Sequence, residues 1–202
     1  MSSEKNPATE MWNQRYAQEE YVYGIQPNEF LKQTLAEIKP GKILLPAEGE
    51  GRNAIFAAQQ GWKVTAFDSS EQARKKAMKL AEDQNATINY LISSMEEFKL
   101  KENSFDVIAL IYAHNANREE NHKRIVRFLK PGGTIILEGF SKNQIDKKSG
   151  GPKALNFLFS VEELKNDFAE LQIITIEESE VDLSEGSLHV GTASVVRVIA
   201  TK

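Results

Sequence analysis

The chain has 202 residues, 27% of them charged and 41% hydrophobic, with 25 basic against 29 acidic residues and a net charge of −4. A chain of this length is expected to form one domain whose core needs no disulfide or metal staple. Its charge balance excludes whole-chain disorder and any basic footprint for nucleic acid or anionic membrane. With no cysteine there is no disulfide, thiolate metal site or cysteine nucleophile. Met1 to Glu10 lacks the basic-then-apolar layout of a signal peptide, and no apolar stretch approaches the length of a membrane span, so a cytoplasmic location is the default expectation.

After a polar start expected to fray, the spacing predicts helices over Thr9–Glu20 and Asn28–Ile38. In the second, Leu31, Leu35 and Ile38 recur at helical spacing, and Pro27 stands just before the start, where a missing N–H costs nothing. An aromatic loop, Tyr21-Val22-Tyr23-Gly24-Ile25-Gln26-Pro27, joins them. From residue 42 apolar runs alternate with amphipathic segments. Strands are expected over Lys42–Leu45, Trp62–Phe67, Ile88–Ile92, Phe105–Tyr112 and Thr134–Phe140, and helices over Arg52–Gln60, Ser70–Asp83 and Asn117–Leu129. Gly61 ends the first of these helices and Lys130-Pro131-Gly132-Gly133 the last. Phe105–Tyr112 is apolar at nearly every position, as suits a central parallel strand covered on both faces. Such a series implies right-handed crossovers and an open, doubly wound α/β sheet.

The rhythm changes near the end. Residues 139–159, with Lys142, Lys147, Lys148 and the Gly150-Gly151-Pro152 break, form the least regular stretch and read as a lid. Ser160-Val161-Glu162-Glu163 is a capping-box sequence for a short helix to Phe168. Leu171–Val181 and Ser194–Thr201 are strand-like, and the loop expected between them, Asp182–Ala193, is too short for a helical crossover, so they should pair antiparallel. The organisation expected is an N-terminal helical lid or appendage, residues 1–40, on a domain of residues 41–202.

The chemistry concentrates in Ile43-Leu44-Leu45-Pro46-Ala47-Glu48-Gly49-Glu50-Gly51-Arg52-Asn53-Ala54, a strand, a glycine-containing turn and a helix start. In an open α/β sheet a ligand sits at such a turn, beyond the carboxyl end of the first strand. Asp68 closes the second strand seventeen residues after Gly51, with Ser69 beside it, where a carboxylate can take both hydroxyls of a ribose. Charge-assisted bonds of that kind are worth about 1.5–3 kcal/mol each. The cofactor therefore contains a nucleoside. Gly49-x-Gly51-x-x-Ala54 also meets the dinucleotide fingerprint, with Asp68 close to the spacing NAD requires. Charge separates the two: a pyrophosphate on this turn would meet Glu48 and Glu50, whereas S-adenosylmethionine has no phosphate and carries cationic ammonium and sulfonium groups.

The turn does not stand alone. Trp12-x-x-Arg15-Tyr16, Tyr21-Val22-Tyr23-Gly24-x-x-Pro27-Asn28, the Ala47–Ala54 turn, Phe105-Asp106-Val107-Ile108, Leu129-Lys130-Pro131-Gly132-Gly133 and Glu185-Gly186-x-Leu188-His189-x-Gly191 follow in order. With this set the chain resembles class I S-adenosylmethionine-dependent methyltransferases, in the bacterial branch of the tellurite-resistance and thiopurine methyltransferases. The resemblance implies a Rossmann-like, doubly wound seven-stranded sheet, mostly parallel with an antiparallel last strand. It implies that Ala47, Gly49 and Gly51 pass beneath the methionine part of the cofactor and that Asp68 holds the ribose. Ser94 and Met95 would line the adenine, and Tyr112, Ala113 and His114 would close the fourth strand beside the methyl group. The sequence departs from the family pattern at Leu45, in place of an acidic residue, at Ala47, in place of glycine, and at Ser94, in place of aspartate. Glu48 is then expected to take the ammonium group.

Methyl transfer is an in-line displacement at an activated carbon, so alignment and exclusion of water carry it, supplying up to about 7–11 kcal/mol. A general base is needed only for an acceptor that arrives protonated. His114 is placed to be that base, or to be hydrogen-bonded lining; His122 lies on an apolar stripe and reads as structural; His189 reads as substrate-side or as exposed loop. Trp12, Arg15, Tyr16 and Tyr23 read as a lid over the cofactor or as packing of the N-terminal helix. Arg52 either reaches the cofactor carboxylate or faces solvent. Three separated histidines make no metal site. Tyr112-Ala113-His114-Asn115 is not the Asn/Asp-Pro-Pro-Tyr pattern of enzymes that methylate amino groups of DNA bases. The expectation is an enzyme that methylates a small-molecule acceptor at sulfur, oxygen, nitrogen or a metalloid, without nucleic-acid or membrane partners. An NAD-dependent oxidoreductase and a catalytically silent S-adenosylmethionine-binding module are its rivals.

Overall fold

The computed structural model describes residues 6–202. Residues 1–5, part of the start expected to fray and to lack a signal-peptide layout, lie outside the described residues. In chain order the elements are α1 (Pro7–Tyr16), α2 (Glu29–Ala36), β1 (Lys42–Pro46), α3 (Arg52–Gln59), β2 (Lys63–Asp68), α4 (Glu71–Asp83), β3 (Asn89–Ile92), β4 (Phe105–Ile111), α5 (Arg118–Val126), β5 (Leu129–Phe140), α6 (Val161–Asp167), β6 (Gln172–Glu185) and β7 (His189–Thr201). The seven strands form one sheet in the order β3-β2-β1-β4-β5-β7-β6. β7 alone opposes its neighbours, running antiparallel to both β5 and β6, while the pairs from β3 to β5 are parallel.

Strand alternation sends residues to two cores. Ile43 and Leu45 of β1 pack with Val64, Ala66, Val107 and Ala109 beneath α2, α3 and α4. Leu44 points the other way, with Ile108, Leu110, Ile135 and Leu137, under α5 and α6. Each fully buried Leu or Ile stabilises the fold by about 1.5–3 kcal/mol over its exposed state. Local signals set the helix starts: Asn6, Asn28, Ser70 and Ser160 each cap a helix through the side chain, and Ser160 with Glu163 closes a full capping box.

Two expectations change, and one link left unassigned is filled. The link from β3 to β4 carries no helix; residues 93–104 cross as a loop anchored by buried Phe98. α5 stops at Val126, and β5 already begins at Leu129, because Leu129 pairs with Phe105 before an irregularity lets Thr134 pair with Val107. The expected Asp182–Ala193 loop is mostly strand: β6 and β7 stay in register out to Glu185↔His189, leaving only Gly186, Ser187 and Leu188 as the turn. Val181 and Leu183 point inward there while Asp182 and Ser184 are exposed, and Gly186 and Gly191 give the segment the composition of a loop. Residues 139–159 include two single turns of 3-10 helix, Lys142–Gln144 and Leu155–Phe157, docked by buried Gln144. Gln144 accepts the Ser194 N–H at 2.8 Å and donates to Ser149 Oγ at 2.9 Å. No helix among the described residues is long and apolar enough to cross a membrane.

Candidate active site

The turn after β1 lies at the carboxyl edge of the parallel strands. Gly51, at φ 92, approaches α4 so closely that a Cβ would stand 2.7 Å from the Ala77 methyl. Ala47 is left-handed as well, at φ 51. From β3, two strands away, Tyr90 donates its hydroxyl to the Gly49 carbonyl at 2.5 Å and fixes the turn from below. Tyr16 covers it from above, its hydroxyl 2.8 Å from where a Gly49 Cβ would sit.

Asp68 ends β2 beside this turn. Its Oδ2 accepts the Gly49 N–H at 3.0 Å and its Oδ1 the Ser70 N–H at 2.9 Å, and the Ser69 N–H also serves it. Burial pushes the carboxyl up to about 6 against the pull of those N–H groups. The two oxygens keep further lone pairs that hydroxyl donors could use. Ser94 and Met95 are partly exposed at the exit of β3; Ser94 Oγ accepts the Glu97 N–H at 3.2 Å and Met95 packs on the α5-side core.

The two acidic residues of the turn are neither free for an ammonium group nor solvated. Glu48 folds back onto α3, where its Oε1 accepts the Ala54 N–H at 2.7 Å; it caps the helix, and burial raises it to about 7. Glu50 is buried too, with its Oε2 accepting the Val22 N–H at 2.8 Å. Its Oε1 lies 2.5 Å from Lys76 Nζ, in an ionic contact rather than an aligned hydrogen bond. The acidic turn therefore does not by itself favour a cationic ligand over a phosphate, since one carboxylate is paired and the other carries a raised affinity for a proton.

Arg52, expected to reach a cofactor carboxylate or solvent, does neither. It is buried, donating to the Gln26 carbonyl at 3.3 Å and pairing with Glu185 Oε2 at 2.9 Å. Glu185 also takes the His189 ring at Nδ1, 3.1 Å away. Burial alone would raise the Glu185 carboxyl; the His189 hydrogen bond and the Arg52 charge outweigh it and bring it down to about 2. An ionised carboxylate only accepts, so Nδ1 of His189 carries a proton, and in the neutral ring Nε2 is the nitrogen with the lone pair. No hydrogen bond within the described residues uses that Nε2.

His114 is arranged differently. Its Nδ1 donates to the Phe157 carbonyl at 2.6 Å and its Nε2 accepts the Phe140 N–H at 3.1 Å. Desolvation holds it down to about 4, so it is neutral with both nitrogens engaged. In this arrangement His114 ties residues 139–159 to β4 and offers no lone pair to a substrate, against the expectation of a base. His122 is fully buried, bonded through Nδ1 to Asp167 at 2.7 Å and stacked on Phe168.

Tyr112, after β4, is left-handed at φ 52, an unusual state for a bulky residue. Its hydroxyl donates to Glu138 Oε1 at 2.9 Å, and Ala113 is buried behind it. The His189 ring stands between Tyr23 and Tyr112, with centroids 4.5 and 4.8 Å away, and Phe140 closes the same wall at 5.1 Å. On the other side, Tyr23 accepts a hydrogen bond from Arg15 at 3.1 Å, and Arg15 lies over Trp12.

Residues 43–133 match the family model described as a methyltransferase domain. Over those residues the chain is similar to methyltransferase domains. It is 31% identical over 98 residues to the ubiquinone biosynthesis O-methyltransferase of Rickettsia akari, an alignment of 48% of this chain and 39% of the relative. It is 23% identical over 157 residues to the probable S-adenosyl-L-methionine-dependent methyltransferase TehB of Haemophilus influenzae, covering 75% of this chain and 51% of that one. The crystal structure of TehB from Haemophilus influenzae superposes with a TM-score of 0.71 at 17% identity, over 96% of this chain and 66% of the other. The chain spans about half the length, or less, of these curated relatives.

The residues fit S-adenosylmethionine: Asp68 has acceptor capacity for two hydroxyls, and Arg15 has no carboxylate partner among the described residues. Ala47, Glu48, Gly49, Gly51, Asp68, Ser69, Ser94, Met95, Tyr112 and Ala113 lie at or just beyond the carboxyl ends of β1 to β4, and Tyr23 lies in the N-terminal loop. Asn28 and Glu185 stand in the motifs that carry the resemblance without a site role read for them, and Glu138 and Lys76 in none; local spacing gives no signal for Asn28, Glu138 and Lys76, whose partners at the site lie from 26 to 157 positions away.

Proposed function

We propose that the protein transfers the methyl group of S-adenosylmethionine to a small-molecule acceptor, with His189 taking the acceptor's proton. The observation that carries this reading is the His189 ring itself: Nδ1 is committed to Glu185, Nε2 is unengaged, and the ring stands against Tyr112 at the end of β4. S-adenosylmethionine supplies a methyl carbon already activated by its sulfonium. Asp68 would hold the ribose, with Ser69 beside it; Ser94 and Met95 would flank the adenine; Ala47, Gly49 and Gly51 would pass beneath the methionine part, and Arg15 would face its carboxylate. Residues 1–40 serve as the lid, since Tyr16 covers the turn and Tyr23 the proton acceptor. The walls of Tyr23, Tyr112 and Phe140 exclude water and favour a flat or polarisable acceptor. A net charge of −4 gives a nucleic-acid substrate no electrostatic attraction.

Calorimetric titration with S-adenosylhomocysteine, on wild type and Asp68→Ala, tests the cofactor assignment. Loss of a ribose clamp worth about 1.5 kcal/mol or more lowers affinity at least tenfold. Labelled-methyl transfer to thiol, phenol, amine and metalloid-oxyanion acceptors, on wild type and His189→Ala, tests the chemistry, with a loss of about 100-fold or more expected for acceptors that arrive protonated. Binding of NADH but not S-adenosylhomocysteine would overturn the reading, and equal turnover by His189→Ala would remove the histidine from it.

A further inference from the structure

We infer that Asn28 is a positioning residue that orients both Tyr112 and His189 by bridging the two carboxylates that hold them; the inference rests on reading His189 as the proton acceptor. Asn28 is 2% exposed. Its Oδ1 is committed, accepting the Leu31 N–H at 3.0 Å as the cap of α2, and its backbone N–H donates to Asn53 Oδ1 at 2.9 Å. With the oxygen fixed, the amide plane is fixed, and the two N–H bonds of Nδ2 have set directions. They meet Glu138 Oε1 at 2.6 Å and, more weakly, Glu185 Oε1 at 3.4 Å.

Each carboxylate has its own arginine and its own aromatic client. Glu138, 1% exposed, pairs with Arg197 at 2.7 Å and receives the Tyr112 hydroxyl. Glu185 pairs with Arg52 and receives His189 Nδ1. A neutral double donor is the group that can stand between two carboxylates without adding charge. Tyr112 keeps its left-handed backbone because Glu138 holds it twice, through the hydroxyl and through its carbonyl, which accepts the Tyr112 N–H at 2.7 Å.

Capping α2 does not require this arrangement. Serine, threonine or aspartate caps a helix about as well as asparagine, but none offers two N–H donors. The cap and the bridge are therefore separable. Asn28→Ser and Asn28→Asp keep the cap and remove the bridge, and the aspartate adds a third carboxylate between the other two.

The chain has three histidines, so nitrogen-15 NMR of the histidine rings in the full-length protein resolves each tautomer. In wild type His189 is expected as the single tautomer protonated at Nδ1. In Asn28→Ser it becomes a mixture of both tautomers while His114, held by Phe157 and Phe140, stays unchanged; Asn28→Asp shows the larger change. Turnover falls about 10- to 100-fold, as for a small misplacement of reacting groups, and S-adenosylhomocysteine affinity does not move. An unchanged His189 signal and turnover in Asn28→Ser would reduce Asn28 to a helix cap and overturn the inference. A wild-type His189 protonated at Nε2 would overturn the proton-acceptor reading and the inference with it. Should the serine variant not fold, Asn28→Thr, also a cap without the donors, is read by the same criteria.

Discussion

The carboxylate of Glu50 accepts the backbone N–H of Val22 at 2.8 Å, which makes the cofactor turn and the N-terminal aromatic loop one unit. Lys76 completes the latch from α4: it meets Glu50 and donates to the Gln18 and Glu20 carbonyls at 2.9 and 2.5 Å. Glu50→Ala leaves Lys76, 13% exposed at its side chain, without its counter-ion. A loss of about 3 kcal/mol is expected, as for a buried pair broken from one side. Hydrogen exchange measured by mass spectrometry would show faster exchange at Val22–Gly24 and unchanged protection in β1 and β4.

The turn between β6 and β7 grips the same loop. Ser187 donates its N–H to the Val22 carbonyl at 3.1 Å, and a Cβ on Gly186, at φ 62, would overlap that carbonyl oxygen and stand 2.6 Å from the Gly24 nitrogen. Gly186→Ala is expected to cost at least about 1–2 kcal/mol from the left-handed backbone alone. Chemical denaturation would register that loss, and limited proteolysis would show cleavage within residues 17–27.

His114 contributes stability that depends on pH. Its proton affinity is depressed in the fold, to about 4, so its contribution is full above the unfolded value near 6.5 and is lost as pH falls towards 4. The advantage of wild type over His114→Asn in urea denaturation should therefore be largest at pH 7.5 and shrink through pH 6 and 5. An advantage independent of pH would mean that His114 does not hold Phe157 and Phe140 in its neutral form.

Glu185 behaves in the same sense but over a lower window. Held down to about 2, it contributes stability that is present above its unfolded value near 4.5 and is lost as pH falls through 2. Glu185→Gln leaves Arg52 buried without its anion and is expected to lose about 3 kcal/mol. Thermal melts should show that deficit constant from pH 8 to pH 5 and narrowing only below pH 4.5.

Much of the fold was legible along the chain. Alternating apolar runs placed β1, β2 and β4 nearly to the residue, and short-range caps at Asn28, Ser70 and Ser160 marked the helix starts. These signals are local, so spacing alone reveals them. The glycine turn and Asp68 were legible for the same reason, since a strand end and a turn fix where their side chains emerge. The length of the β6–β7 hairpin was not, because the inward residues at its far end are only Val181 and Leu183, set among Ser184, Gly186, Ser187 and Gly191, residue types that read as turn.

What the sequence by itself determined, then, is the doubly wound sheet and the carboxyl edge marked by the glycine turn and Asp68. Tertiary structure alone decided what the charged residues there do. Glu48 and Glu50 share one turn, yet the first caps α3 and the second latches the N-terminal loop. His114 and His189 are both single histidines in the sequence; backbone from residues 140 and 157 occupies both nitrogens of one, while Glu185 occupies a single nitrogen of the other. The role of a buried titratable group is set by the donors and acceptors packed against it, and those arrive from strands distant in the chain.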